Sequence, residues 1–257
     1  MTRTRFGSPS AFTRSAADYV VTMGPALAPV ASEVVRRAAL QPEETVLDIG
    51  TGTGAGARLA LGAGRRVIGL DAAAGMLEIA RDEVPEAELI EADFTRIPLD
   101  DGSIDVAMAV HALLFASDRV AALAEWRRVT RPGGRLSLSV PGPGDAVLAS
   151  VLGHIYDRYG VEWHPDDFPA LEELATWARH AGWDDIDTHA DPTTAITLRD
   201  EEGFDAWLRF GFMALEWEAG RRDAFKADLM AAAPRAPDGT YRIPFGALYL
   251  TARRGDA

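Results

Sequence analysis

No cysteine occurs among the 257 residues. Its absence excludes disulfide staples, thiolate nucleophiles and Cys-ligated zinc or iron–sulfur sites. Lysine is nearly missing as well: of 26 basic residues, 25 are arginine and one is Lys226. One lysine leaves little room for Schiff-base chemistry, a phosphate-cradling lysine or a Tyr-x-x-x-Lys pair. Positive charge is scarce overall, with 26 basic against 39 acidic residues and a formal net charge of −13. So acidic a surface repels phosphate backbones and argues against nucleic acid as a partner. No apolar run reaches the ~18 residues of a membrane-spanning helix. The segment Met1–Ser10 carries Arg3 and Arg5 but no following apolar stretch of signal-peptide length. These absences predict a soluble, cytoplasmic protein; its assembly is expected to be a monomer or homodimer, which the sequence does not decide.

What is present is ordinary globular material, 47% hydrophobic and 25% charged, of a length that suits one α/β domain with insertions. Short apolar runs alternate with helical patterns. Strands are predicted at Thr45–Ile49, Arg66–Leu70, Glu88–Ala92, Ile104–Val110 and Arg135–Val140, the last after a Pro132-Gly133-Gly134 turn. Helices are predicted from Leu27 to Gln41 and over 54–63, 73–83 and 117–130. This order predicts a doubly wound, mostly parallel sheet covered by helices on both faces. Beyond it, 143–159, 169–181, 200–217 and 221–233 read as helices, Trp183–Ala190 as a sixth strand and Tyr241–Ala252 as one terminal strand. With no repeat or long linker, 1–257 reads as a single domain. Residues 1–27 form an N-terminal arm and 28–142 a cofactor-binding core. Segments 143–183 and 191–240 form a helical lid, and 241–252 the closing strand.

The segment Val46-Leu47-Asp48-Ile49-Gly50-Thr51-Gly52-Thr53-Gly54 runs a strand through glycines into a helix. Gly50 and Gly52 let the backbone turn sharply and approach a ligand closely. The spacing also fits G-x-G-x-x-[GA] with Ala55 last, and Asp71 lies 21 residues after Gly50, so a nicotinamide or flavin dinucleotide is a rival. The charge of Asp48 argues against it: a carboxylate is a poor neighbour for a pyrophosphate but a good one for an ammonium. A simpler reading is that Asp48 only caps the loop backbone. Asp71 ends the next strand, where a carboxylate can accept from both ribose hydroxyls. Asp93 follows the third strand and could accept from an adenine amino group, with the Phe94 N–H serving a ring nitrogen. Met76 packs either on that base or only in the core.

These segments resemble the class I S-adenosylmethionine-dependent methyltransferases, in particular the group acting in ubiquinone and menaquinone biosynthesis and many small-molecule methyltransferases. The matching stretches are VLDIGTGTG at 46–54, VIGLD at 67–71, EADFTRIPLDDGSID at 91–105 and EWRRVTRPGGRLSLSVPG at 125–142. The resemblance implies a Rossmann-like seven-stranded sheet with its last strand antiparallel. It implies S-adenosylmethionine as cofactor and S-adenosylhomocysteine as product. Ribose would be bound by Asp71, adenine by Ala72, Met76, Asp93 and Phe94, and the methionine tail by Gly50, Thr51 and Gly52. Val110 and the arm residue Tyr19 would complete the pocket, the arm lying over the acceptor with the lid. Two patterns are missing: no D/N-P-P-Y/F motif follows the fourth strand, which reads Ala109-Val110-His111-Ala112-Leu113, and no acidic set suggests a Mg²⁺-dependent catechol enzyme.

Methyl transfer from a sulfonium needs alignment, desolvation and, for a hydroxyl acceptor, a base. His111 is the candidate base, with pocket lining through its backbone as the alternative. His154 reads as a core or rim residue. His164 with Asp166 and Asp167 reads as a helix cap rather than a metal site, and no metal is expected. His180 and His189 lack recognisable partners. Phe204, Trp207, Phe210, Phe212, Met213, Leu215 and Trp217 crowd one segment, with Trp163 and Phe168 in another. Most would glue the lid to the sheet. A surplus facing the cleft would suit an apolar or aromatic acceptor for O- or C-methylation. Two alternatives keep open a cofactor-bound, non-methylating enzyme or scaffold and an NAD(P)-dependent oxidoreductase.

Overall fold

Strands buried on both faces in a parallel sheet must be apolar along their whole length. Those runs form the centre of the molecule. The computed structural model describes residues 8–63, 66–142, 144–161, 169–211, 220–244 and 246–256. Trp163, His164, Asp166, Asp167, Phe168, Phe212, Met213, Leu215 and Trp217, named above, lie outside these. Strands β1 (Thr45–Ile49), β2 (Arg66–Asp71), β3 (Glu88–Glu91), β4 (Ile104–Val110), β5 (Thr130–Pro141), β6 (Asp184–Asp191) and β9 (Ala247–Arg253) form one sheet in the order β3-β2-β1-β4-β5-β9-β6. The first five pair in parallel, and β9 lies antiparallel between β5 and β6. The Rossmann-like fold with an antiparallel last strand is thus observed. The strand order reverses between β1 and β4, the switch point at which open α/β sheets bind ligands.

Helices α3 (Met23–Ala38), α4 (Ala55–Leu61) and α5 (Ala74–Glu83) follow or precede the first strands, and α6 (Arg119–Val129) and α8 (Leu171–His180) cover the other face. Val30, Val34, Ala57 and Ala60 pack with Val46, Val106 and Met108 on one side. Leu123, Trp126, Leu174 and Ala178 pack with Leu47, Ile49, Leu136 and Leu138 on the other. Arg254 ties the end of β9 to the carboxyl end of α6: one guanidinium nitrogen donates to the carbonyls of Arg127, Arg128 and Thr130. A cation there satisfies carbonyls that the helix leaves open.

Three expectations change. Tyr241–Ala252 is not one strand: it breaks at Gly246 into β8 (Tyr241–Pro244) and β9. Strand β8 leaves the main sheet to pair with β7 (Ala195–Leu198), which has no clear signal in the sequence. The Pro132-Gly133-Gly134 turn is absorbed into β5 as a bulge, where the β4 register jumps from Thr130 to Arg135. The third helix starts at Met23 rather than Leu27, and the arm before it is helical, as α1 (Pro9–Arg14) and α2 (Ala16–Val21).

The remaining helices, α7 (Gly144–Tyr159), α9 (Glu201–Gly211) and α10 (Arg221–Ala232), build the insertions around the β7–β8 pair. Phe204 and Phe225 are completely buried there, and the Phe204 ring meets those of Trp207 and Tyr241 edge-on. Those lid aromatics serve packing.

The arm lies across α5 and reaches α9. The Gly75 N–H donates to Thr13 Oγ1, and the approach is so close that a Cβ at Gly75 would stand 2.6 Å from the Thr13 carbonyl oxygen. Arg209 of α9 grips both oxygens of Asp18 at 2.7–3.1 Å. Phe12 meets Phe115 and Phe210 edge-on, and Tyr19 meets Phe210. Replacing Gly75 by Ala therefore displaces the arm but not the sheet. Amides of α1 and α2 are expected to exchange about tenfold faster while those of β1 and β4 keep their protection, read by hydrogen exchange.

Candidate active site

At the carboxyl end of β1 the chain turns through Gly50 and Gly52, both left-handed, with φ of +68° and +56°. A side chain at Gly50 would collide with the Cβ of Ala112, 2.6 Å away, so the loop after β4 can seat directly on this turn. The N–H groups of Gly50 and Thr51 both donate to the Leu70 carbonyl at 2.8 and 2.9 Å. The Gly52 N–H donates to Asp71 Oδ2 at 2.9 Å. The turn's donors are therefore already paired within the protein.

Asp48 points beneath this turn. Its carboxylate is buried, accepts from the Thr51 hydroxyl at 2.7 Å and accepts from the Ala57 N–H in the first turn of α4. Helix α4 has Gly54 as its N-cap, which offers no side-chain bond; the Asp48 carboxylate faces the first turn from the strand, where the Ala57 amide favours its charged form. Space for it exists because residue 56 is glycine, whose Cβ would lie 2.9 Å from Asp48 Oδ2. The N-terminus of α4 thus faces the protein's own carboxylate. Burial pushes the Asp48 carboxyl up to about 6, against the pull of those two hydrogen bonds and with a further push from Asp71.

Asp71, at the end of β2, accepts from the Ala73 N–H at 2.8 Å through Oδ1. Burial raises its pKa, partly offset by the Ala73, Gly52 and Ala72 amides. Tyr19 comes down from the arm onto the same spot. Its hydroxyl lies 3.9 Å from where a Cβ of Gly52 would be, and burial followed by the Asp71 and Asp48 charges raises its pKa strongly. Among the described residues that hydroxyl has no hydrogen bond. With Leu27, Gly50, Thr51 and Val110, Tyr19 and Asp48 border a cleft of about 330 Å³, open solvent included.

Met76 is buried beneath the arm with Ala16 and Ala73. Ala72 is half-buried beside it. Asp93 is exposed, and its Oδ1 accepts from the N–H and hydroxyl of Thr95. Phe94 packs edge-on against Trp126, whose indole N–H donates to the Phe94 carbonyl. Asp48, Asp71 and Asp93 thus stand along three adjacent strand ends, but of the three only Asp48 borders the cleft with Tyr19, and Asp71 acts on the Tyr19 hydroxyl through its charge.

His111 ends β4 in a left-handed conformation, φ +58°, a strained state for a non-glycine residue of the kind that collects at functional sites. It is buried, and its Nδ1 lies 3.0 Å from the Ser139 hydroxyl. Here the expectation of an imidazole titrating near neutrality is corrected: burial pushes its pKa down to about 3, and the nearby Ser139 carbonyl offsets this only in part. His154, His180 and His189 are exposed. Among the described residues no group of three or more potential ligands could hold a metal, and no helix is long and apolar enough to cross a membrane.

The profile of the methyltransferase domain family matches residues 47–138. The chain is 30% identical over 244 residues to malonyl-[acyl-carrier protein] O-methyltransferase from Serratia marcescens, covering 93% of this chain and 94% of that protein. It is also 30% identical over 166 residues to demethylmenaquinone methyltransferase from Renibacterium salmoninarum, covering 56% of this chain and 68% of that one. Among solved structures, the YcgJ protein from Bacillus subtilis superposes with a TM-score of 0.63 at 19% identity, over 88% of this chain and 98% of its own.

The raised pKa of Asp48 has a thermodynamic signature. Between the ordinary carboxylate value and about 6, the folded protein holds a proton here that the unfolded chain releases. This group therefore adds stability as pH falls through that window and withdraws it as pH rises. Asp48→Asn cannot titrate. Relative to wild type, its stability is expected to improve on going from about pH 4.5 to about pH 7, read by urea unfolding at both. Parallel pH dependence in the two proteins would show Asp48 to be ionised throughout.

Proposed function

The chain belongs to the class I S-adenosylmethionine-dependent methyltransferases, and from this premise we propose that it methylates an oxygen or carbon of a medium-sized apolar or aromatic metabolite. It is an enzyme of small-molecule type, with S-adenosylmethionine as its cofactor. When bound, that cofactor supplies a methyl group on a sulfonium and departs as a neutral thioether, so no acid is needed to assist the leaving group.

The occupied N-terminus of α4 carries the cofactor reading at the level of residues. Asp48 fills the donor site that a pyrophosphate would require, which disfavours a dinucleotide and leaves a negative potential suited to an ammonium and a sulfonium. Tyr19 offers a hydroxyl at the same place. In the proposal Asp71 receives the ribose hydroxyls on lone pairs left over by Gly52 and Ala73. Ala72, Met76, Asp93 and Phe94 surround the adenine, and Gly50, Thr51, Gly52 and Val110 border the methionine tail. His111 lies at the transfer end as a neutral hydrogen-bonding group. The arm excludes water from the reacting atoms, which strengthens every electrostatic contact beneath it.

The aromatic chain Phe115–Phe12–Phe210–Tyr19 supports the acceptor class. It joins α1, α2, α9 and the turn Leu113–Phe115, reaches the cleft through Tyr19, and leaves Phe115 43% exposed at its other end. The Serratia marcescens relative aligns through the lid as well as the core and favours a second reading, in which the acceptor is a carboxylate carried on an acyl thioester.

Calorimetric titration tests the cofactor site. S-adenosylmethionine and S-adenosylhomocysteine are expected to bind and NAD is not. Tyr19→Phe is expected to weaken the first two about fivefold, the value of roughly one neutral hydrogen bond. Tighter binding of NAD would overturn the site assignment. Methyl release with a panel of phenols, enols and malonyl thioesters separates the two acceptor readings.

A further inference from the structure

We propose that Glu125 and Arg128 of α6 are positioning residues for the cofactor's base: their ion pair fixes the loop 94–101 from behind and so sets the preference for adenine. That loop joins β3 to β4 without helix or strand of its own, so its main-chain groups must find partners elsewhere. Helix α6 supplies them through side chains. Glu125 Oε1 accepts the Ile97 N–H at 2.7 Å, and Arg128 Nη2 donates to the Ile97 carbonyl at 2.9 Å. Both main-chain groups of one residue are thereby held, as a neighbouring strand would hold them. Arg128 Nη1 donates to the Leu99 carbonyl at 2.9 Å and to Asp101 Oδ1 at 2.6 Å. The two side chains also lock each other: Arg128 Nε and Nη2 each lie 2.8 Å from a Glu125 oxygen. A paired fork of this kind admits one geometry. The Arg128 guanidinium holds the Glu125 carboxyl below the usual carboxylate range, so the clamp is charged at neutral pH.

The clamp holds a turn that keeps one donor and one acceptor to spare. Upstream, the Ala92 N–H donates to the Asp71 carbonyl at 3.0 Å, which sets the start of the loop beside the end of β2. The Asp93 carbonyl accepts the Arg96 N–H at 3.0 Å, and Asp93 Oδ1 takes the N–H and hydroxyl of Thr95 at 2.8 and 2.7 Å. The Phe94 carbonyl takes the Trp126 indole N–H at 3.1 Å. The turn is therefore tied at Ala92, Phe94 and Ile97. Among the described residues the Phe94 N–H and Asp93 Oδ2 have no hydrogen-bond partner. An acceptor and a donor on consecutive residues match adenine, which offers its amino group and N1 side by side in the opposite sense. Hypoxanthine reverses both. Discrimination of that kind needs the donor and acceptor to keep their spacing, and the anchored Ile97 preserves it. This inference rests on the adenine placement proposed above.

The test is calorimetric titration of S-adenosylhomocysteine and of its hypoxanthine counterpart, S-inosylhomocysteine, into wild type and variants. Wild type is expected to prefer the adenine thioether by at least about tenfold. In Arg128→Ala that preference is expected to fall about fivefold, the value of roughly one neutral hydrogen bond, with the affinity for the hypoxanthine thioether little changed. A role confined to folding weakens both ligands alike and leaves their ratio where it was. Arg128→Lys keeps the charge and the stem but loses the fork, and Glu125→Gln keeps the shape but loses the charge. Both are expected to lower the preference at least about twofold, and they carry the test should Arg128→Ala not fold. An unchanged preference in the folded variants, or equal weakening of both ligands, overturns the inference. The wild-type result keeps the two levels apart. Binding of neither ligand defeats the cofactor site, and equal binding of both defeats the placement of adenine at Phe94; the clamp falls with either. A wild-type preference indifferent to Arg128 and Glu125 defeats the clamp alone.

Discussion

The carboxylate of Asp48 on the first turn of α4 is the contact from which the rest of the site follows. A helix N-terminus at the end of a first strand is a standing invitation to a phosphate, because unpaired N–H groups and the helix dipole converge there. Here a buried side chain from β1 answers it. The consequence is twofold. The glycine turn above is held from below, and the space over it carries negative potential from Asp48 and Asp71. Glycine at 56 is what makes the arrangement sterically possible.

Much of this frame can be read from the sequence because buried parallel strands leave a strong trace. Val67–Leu70 and Val106–Val110 are apolar on both faces, as is Val46–Ile49 apart from Asp48, and each is followed or preceded by a helical pattern. Asp48, Asp71 and the two glycines were equally legible, since a strand ending in Gly-x-Gly with acids at the next strand ends has few other uses. The direction of the Asp48 carboxylate was not. Both a ligand ammonium and a backbone cap are compatible with the sequence, and the choice depends on Gly56 lying across from it. The split between β8 and β9 is hidden because Tyr241, Ile243, Phe245, Ala247 and Tyr249 keep the strand alternation going through the break. The β7–β8 pair forms only after the lid helices bring two distant segments together.

His111 illustrates another limit. Its residue type suggests a group titrating near neutrality, and nothing nearby in the sequence contradicts that. Its actual behaviour is set by burial and by Ser139, 28 residues further on. A titrating group's chemistry is a property of its surroundings, and those belong to the fold. The arm is similar. Phe12, Asp18 and Tyr19 look unremarkable in a row, and become a cover only when Gly75, Phe115 and Arg209 supply the surfaces they meet.

The placement of β9 constrains how the molecule assembles. Strand β6 touches the sheet only through β9, yet precedes it by more than 50 residues. During synthesis and folding β6 must wait without a pairing partner, the condition in which strands most readily join the wrong neighbour. Its sequence answers this: Asp184, Asp185, Asp187 and Asp191 load it with charge that discourages pairing with another copy of itself. The strand added last therefore acts as a bolt, and the acidic residues keep the open slot clear until it slides home.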